Sequence, residues 1–391
     1  MLRYLVLAGD WYGPLRVFES ITFRAAVAVL ISFLLALFFG PRFIRRMTAK
    51  KVTEDISKPD AAKLHELHGG KKGTPTMGGL FLVAAVVITV FLCCDPENPL
   101  VWVGQFVLVG FGALGFIDDY WKLRGWGKKG LIKRQKFLAE ILIAAVAVAF
   151  LAWGSQDGWF GMSGVPASNR EADIEAVTNS RSVIEPTRVV VPFTKWSEVN
   201  PNLGALYWLF AVVVIVACSN AVNLTDGLDG LASGCTAMVA LTYAILAYLV
   251  GNAMTAAFFR IPMVPGAGEL SIYGAALFGG LLGFLWFNAN PARVFMGDTG
   301  SLALGAALAF MAIATKHELT LIITGGIFVF EALSVILQVA SFRMFKKRLF
   351  KIAPFHHHLE YSGWKENHVV VRLWIVSIIL SIMSLGLLKM H

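Results

Sequence analysis

The chain has 391 residues, of which 57% are apolar and 15% charged, and it carries a formal net charge of +9. A soluble domain carries roughly 25% charged residues, so this composition excludes an ordinary water-soluble enzyme. A basic excess in a soluble protein would suggest nucleic acid. Here the charge lies between apolar blocks, which assigns it to a membrane surface and gives no nucleic-acid partner.

In chain order the apolar blocks cover residues 21–40, 74–94, 100–117, 137–153, 203–222, 231–250, 270–287, 301–315, 319–341 and 369–388. Crossing a hydrocarbon core takes about 20 residues of helix. The block at 301–315 is short and needs residues from a flank. The sequence therefore predicts an all-α integral membrane protein of about ten transmembrane helices, forming one polytopic domain over residues 1–391. The first block is full length and lacks a small-residue cleavage pattern, so it reads as a retained span rather than a signal peptide. Cys93, Cys94, Cys218 and Cys235 fall in or beside apolar blocks without metal-ligand spacing, and read as small core residues.

Loop charge orients the spans. The first loop (41–73) holds nine Lys and Arg, the third (118–136) seven and the ninth (342–368) six; the fifth (223–230) has none and the seventh (288–300) only Arg293. Short loops rich in Lys and Arg stay in the cytoplasm. The odd loops are thus expected to be cytoplasmic, with both termini periplasmic. The one long outward segment, 154–202, contains a β-prone stretch from Arg188 to Phe193, and a small hairpin or a partly disordered loop fits equally well.

Chemistry gathers on the odd loops. Asp118 and Asp119 end the third block, where a carboxylate opposes the helix macrodipole by a few tenths to ~1 kcal/mol. Two in succession are a poor choice for stability. Neighbours on a helix point roughly 100° apart, which gives the two acids different roles. The fifth loop runs from Asn220 through Asn223, Asp226, Gly227, Leu228 and Asp229 to Gly230 and opens a helix. Glycines there let backbone N–H groups approach a ligand, and a helix N-terminus favours anions. An ordinary N-cap at Thr225 or Asp226 accounts for one acid and leaves the rest unexplained.

The seventh loop, Asn288 to Gly300, offers Asp298, which an N-cap of the eighth span would also explain. It also offers Phe295 as a stacking surface for a base or an interfacial aromatic. The ninth loop holds His356, His357 and His358, which cannot all reach one metal from a regular helix or strand. They suit phosphate donors or a proton relay. The first loop ends with Lys71, Lys72 and Thr76 among glycines, suited to phosphate or to anionic headgroups. Carboxylates for magnesium beside basic groups for phosphate are what phosphoryl transfer requires. Hard oxygen ligands select Mg2+ over zinc. Within the ninth block, Glu331 is costly to bury without a partner or a role, and it shares a helix face with Gln338, seven residues on.

At these motifs the sequence resembles a known family. Gly73 to Gly79, Asp118-Asp119-Tyr120, Asn220 to Gly230, Phe295 to Asp298 and the triple histidine before Leu359-Glu360 closely resemble the phospho-N-acetylmuramoyl-pentapeptide-transferases of bacterial peptidoglycan synthesis. The resemblance runs from about residue 23 to 389, with the outward loop near 154–185 looking like an insertion. The wider superfamily of polyprenyl-phosphate N-acetylhexosamine-phosphate transferases shares the acidic motifs. The triple histidine and the Pro-Thr-Met-Gly-Gly run resemble the muramoyl-pentapeptide branch.

The resemblance implies ten spans, a homodimer, UDP-N-acetylmuramoyl-pentapeptide and undecaprenyl phosphate as substrates, and lipid I and UMP as products. It implies magnesium on Asp298, with Asp118 and Asp119 at the reaction centre and His356, His357 and His358 as an essential motif. It implies a uridine pocket at Gly227, Leu228, Asp229 and Phe295, with Asn223 and Asp226 near the ribose and Lys72 near the phosphates. Lys71, Thr76, Asn220, Asn288 and Gln338 complete the expected substrate contacts. It also implies a broken ninth helix whose outer part leans away, which Gly325-Gly326 permits. Direct attack by the lipid phosphate is favoured over a covalent aspartyl intermediate, with Asp118 available as base or nucleophile. The rivals are a sister enzyme transferring N-acetylglucosamine phosphate and a secondary transporter of an anionic substrate. A transporter places its site near the midplane at interrupted helices, whereas these polar clusters lie in loops.

Overall fold

The computed structural model describes residues 4, 13–50, 73–124, 130–157, 185–194 and 200–389. Its long elements are helices: α1 (Ile21–Ala49), α2 (Gly79–Cys93), α3 (Pro99–Arg124), α4 (Lys133–Asp157), α5 (Leu206–Thr225), α6 (Leu231–Val250), the short α7 (Ala253–Phe259), α8 (Gly268–Asn288), α9 (Gly297–Ala314), α10 (Thr320–Thr324), α11 (Gly326–Phe345), α12 (Phe355–Tyr361) and α13 (Glu366–Gly386). Among the described residues, nine helices are long and apolar enough to cross a membrane. The tenth expected span is present as α2, shortened to 15 residues.

Backbone geometry explains that shortening. The expected span began at residue 74, but Thr74–Gly78 is not helical, and Met77 adopts a φ of 65°. Helix of α2's length rises only about 22 Å. The non-helical stretch before it is tolerated because it is covered by protein, with Thr76 and Met77 both buried.

The bundle is built around α9. This helix reads Gly-Asp-Thr-Gly-Ser-Leu-Ala-Leu-Gly-Ala-Ala-Leu-Ala, and its small residues let α3 and α5 approach closely. Nearly every α9 side chain is buried. The short expected block at 301–315 is completed by borrowing Gly297 to Gly300. On the other flank α8 packs between α1 and α6. The outward faces remain apolar: Leu30 and Leu34 on α1, Leu138 and Leu142 on α4, and Ile336 and Phe345 on α11 are all exposed. Such a surface suits lipid.

Buried charges are paired, as an apolar surrounding requires. Arg24 of α1 donates to both carboxylate oxygens of Glu269 of α8, at 2.8 and 2.6 Å. At the same end of the bundle, Lys316 lies 3.4 Å from Glu318 and donates to the Pro186 carbonyl at 2.7 Å. Tyr207 hydroxyl donates to Glu318. The cysteines are free and buried or half-buried, as expected. Of the outward loop, residues 158–184 and 195–199 lie outside the described residues. Among those described, Arg188 and Asn202 form an isolated antiparallel bridge.

The expected block at 319–341 is two helices, broken at Gly325 and extended to Phe345. Thr324 Oγ1 donates to Ser384 Oγ at 2.8 Å, pinning α10 to α13. α10 is thus held against α13, while α11 packs on α5 and leaves most of its surface exposed.

Candidate active site

Asp118 and Asp119 lie in the last two turns of α3 and face different neighbours. Asp118 Oδ1 accepts from Leu131 N at 2.7 Å, and its Oδ2 lies 2.9 Å from Lys122 Nζ and 3.3 Å from Lys136 Nζ. Asp119 faces α9 instead. Its Oδ1 accepts from Asp298 N at 3.3 Å, and its Oδ2 from Thr299 N and Oγ1 at 3.0 and 2.8 Å. These are backbone donors that a helix start leaves without partners, so Asp119 caps α9 from another helix. The Asp298 side chain is thereby left for other contacts, and its Oδ2 lies 2.8 Å from Lys122 Nζ and 2.6 Å from Lys136 Nζ. Gly115 allows this approach, because a Cβ there would lie 2.2 Å from the Asp298 carbonyl oxygen.

Three helix ends thus bring three carboxylates around two ammonium groups. Lys122 Nζ is within 3.7 Å of all three acids. With every group ionised, the cluster keeps one uncompensated negative charge. The point where the carboxylates converge already holds a cation, the Lys122 ammonium, whose side chain is 41% exposed.

The non-helical stretch before α2 is stitched to the seventh loop. Phe295 N donates to Pro75 O at 2.8 Å, and Gly78 and Gly79 N donate to Phe295 and Met296 O at 2.8 and 2.9 Å. This holds Thr76 and half-buried Phe295 beside the start of α9. Lys71 and Lys72, expected at the same mouth, lie outside the described residues.

Loop five is fastened to its neighbours by the very residues expected to bind substrate. Asn220 donates to Glu140 Oε2 at 2.6 Å and to Val216 O at 2.9 Å. Asn223 Oδ1 accepts from Ser301 Oγ at 2.8 Å. Asp229 accepts from Asn290 Nδ2 and Ala292 N at 3.2 and 3.0 Å, while its own N–H donates to Glu366 at 2.9 Å. Asn288 accepts from Gly230 N at 3.1 Å and Ser233 Oγ at 2.8 Å, and donates to Val294 O at 2.9 Å. Leu228 is buried in the core. Asp226, half-buried, follows α5, and Gly227 is exposed. Asp229 and Asn288 therefore set the relative height of loops five and seven, and Asp226 and Gly227 form the open edge.

The histidines differ from one another. His356 is fully buried, with its backbone N–H directed at both Glu331 oxygens (3.1 and 3.3 Å). His357 Nδ1 lies 2.9 Å from Glu360 Oε2, and its side chain is partly exposed. His358 Nδ1 accepts from Lys351 N at 3.1 Å, and its ring stacks on Phe355. Gln338 accepts from Leu349 and Phe350 N at 3.0 and 2.9 Å and donates to Phe350 O at 3.0 Å. Its amide thus shapes the turn that leads to the histidines.

Sequence reasoning did not single out Lys136, Glu140, Glu360 or Glu366. Glu140 carried a usable signal, an acid inside the apolar block at 137–153. Lys136 carried none, being one of several basic residues in its loop.

Comparison with known proteins follows the same residues. Residues 101–316 match the family model described as Glycosyl transferase family 4, and residues 71–83 match phospho-N-acetylmuramoyl-pentapeptide-transferase signature 1. The chain is 43% identical over 379 residues to the phospho-N-acetylmuramoyl-pentapeptide-transferase of Oleidesulfovibrio alaskensis, with 96% of each chain covered. It is a phosphoglycosyl transferase and a multi-pass protein of a bacterial inner membrane. With its acidic cluster, its signature and its full-length kinship in agreement, the chain belongs to the phospho-N-acetylmuramoyl-pentapeptide-transferase family.

Proposed function

We propose that the chain transfers phospho-N-acetylmuramoyl-pentapeptide from UDP-N-acetylmuramoyl-pentapeptide to undecaprenyl phosphate, giving lipid I and UMP, the first membrane step of peptidoglycan synthesis. The observation that carries this reading is the convergence of Asp118, Asp119 and Asp298 on the Lys122 ammonium, at the ends of membrane helices. One substrate is water-soluble and the other is held in lipid, so the reaction needs a site at the membrane surface. Loop charge makes that surface the cytoplasmic one.

The donor set fits a magnesium ion. Among the described residues no three His, Cys, Asp or Glu side chains form a preformed metal cage. Magnesium is ordinarily held by one or two carboxylates together with substrate phosphates and water. Asp298, with Asp118 beside it, supplies such oxygens, and the Lys122 ammonium stands in for the cation. A bound ion would supply positive charge to offset that of the donor pyrophosphate.

The chain's own groups do the rest. Asp119 fixes the start of α9, and so the position of Asp298. Lys122 and Lys136 face phosphate oxygens of the donor. Asp226, Gly227 and Phe295 receive the nucleotide at the edge of loops five and seven. His357, held by Glu360 through Nδ1, donates from Nε2 to a phosphate oxygen when its ring is doubly protonated. The lipid phosphate attacks directly, because a phosphate monoester with a second pKa of about 6 is mostly dianionic at neutral pH and needs little base help.

The test is UMP release by purified protein in detergent, with undecaprenyl phosphate, magnesium and the muramoyl-pentapeptide donor. UDP-N-acetylglucosamine and an Asp298→Asn variant are run in parallel. UMP from the muramoyl donor alone, lost in the variant, is expected. Turnover of UDP-N-acetylglucosamine instead would assign the chain to the sister reaction, and no turnover by folded protein would remove the transferase reading.

A further inference from the structure

His356 is placed where it cannot touch a ligand directly. The ring is wholly buried beneath Gly227, so close that a Cβ on Gly227 would fall 2.3 Å from Nε2. Gly227 itself is exposed on its other side. Behind the ring, Glu331 of α11 is also buried, and both its oxygens face the His356 N–H. Glu331 Oε2 lies 3.1 Å from Nδ1, near enough for an ion-pair contact but out of line for a hydrogen bond, and Nε2 has no hydrogen-bond partner. A buried carboxylate on a lipid-facing helix is costly. A buried imidazole nitrogen without a partner adds to that cost.

We propose that Glu331 and His356 form a buried seat for the open edge of loop five, with Glu331 a positioning residue for binding of the nucleotide donor. This rests on the reading of Asp226 and Gly227 as part of the donor site. Glu331 fixes the start of α12 through the His356 N–H and lies against the ring, 3.1 Å from Nδ1. Nε2 is turned to the loop, toward the place a Cβ on Gly227 would take. The ring then sets the height of Gly227, and through it the donor-facing edge. Gly227 has no positive φ, so its missing side chain serves this contact and not a special backbone conformation.

The seat makes a prediction that a general stabilising role does not. Gly227→Ala should raise KM for the uridine donor and weaken inhibition by UMP, each by about tenfold (~1.4 kcal/mol), because its new methyl meets the ring. His356→Ala should raise the same KM with the KM for undecaprenyl phosphate unchanged. In the Gly227→Ala/His356→Ala double variant the methyl meets nothing, so donor KM should return to that of His356→Ala alone. Glu331→Ala should resemble His356→Ala, and adding it to His356→Ala should cost nothing more. Glu331→Gln keeps an acceptor for the His356 N–H, so it should recover part of the loss and serve if Glu331→Ala does not fold.

Loss of kcat at unchanged donor KM in His356→Ala would overturn the seat and make the imidazole catalytic. Multiplying effects of Gly227→Ala and His356→Ala would overturn it too. Failure of the wild type to use a uridine donor at all is a different outcome, and rejects the donor-site reading itself.

Discussion

Lys122 Nζ lies 2.8 Å from Asp298 Oδ2 and 2.9 Å from Asp118 Oδ2, on a side chain that is 41% exposed. An ammonium and a divalent cation cannot share that point. Lys122→Met should therefore lower the magnesium concentration that half-saturates activity by roughly fivefold. That is the ~1 kcal/mol a unit charge contributes at 4 Å in water. A magnesium titration reads this whatever happens to kcat. An unchanged or raised half-saturation point would mean that the cation binds elsewhere.

Asp119 and Thr299 make a separate prediction, about folding. Thr299→Val removes one side-chain hydrogen bond to Asp119 Oδ2 and should cost about 1 kcal/mol. Asp119→Ala removes the acceptor for two backbone N–H groups as well, and loss of a helix cap costs ~0.5–2 kcal/mol. Thermal unfolding in detergent should rank the proteins wild type, Thr299→Val, Asp119→Ala. If Asp119→Ala unfolds like the wild type, its contacts with α9 do not hold the helix start.

These two relationships show what the sequence makes legible. The apolar blocks, the acids at the end of the third and the odd-loop clustering all followed from length, charge and hydropathy, because a bilayer imposes a strict pattern on a chain. That Asp118 and Asp119 face different neighbours followed from helix geometry. Partner choice did not. That Asp119 caps a helix starting nearly 180 residues later depends on three-dimensional packing, which no local pattern encodes. Asn288 and Gln338 were legible as polar residues near a site, yet their amides hold backbone within loops. Amide side chains bind backbone and ligand through the same atoms, so composition alone does not separate the two uses. The helical break at Gly325 was suggested by its glycine pair and by family resemblance, whereas the side of the break that faces lipid is a matter of packing.

Arg24 and Glu269 lie at the other end of the bundle and test stability without chemistry. Their two short hydrogen bonds are buried, and Glu269 Oε2 also accepts from Asp95 N at 2.8 Å. Removing one partner of a buried pair ordinarily costs 3–5 kcal/mol, roughly, because the other charge is stranded. Arg24→Met should thus destabilise strongly, and Arg24→Met/Glu269→Gln should recover part of the loss. Turnover per folded molecule should stay at the wild-type level in both. A double variant less stable than Arg24→Met would show that Glu269 is held by its other contacts and not by the arginine.

Lys316 supplies a pH dependence at that same end. It lies between α9 and α10, almost wholly buried, with its ammonium 3.8 Å from the centre of the Tyr207 ring. Burial pulls its pKa below the ordinary 10.5, and the neighbouring Glu318 carboxylate only partly opposes this. In the unfolded chain the lysine returns to its ordinary value. Between the two values the unfolded state binds more protons, so this group makes the protein more stable as pH rises towards about 10.5. As pH falls through the folded-state value, the charged amine must be buried and that increment is lost. Other groups also titrate in alkali, so the measurement is a difference between the wild type and Lys316→Met, followed by thermal unfolding from neutral pH upward. The wild type should gain relative to the variant as pH rises. If it loses instead, Glu318 outweighs burial and the lysine is held charged by its partner.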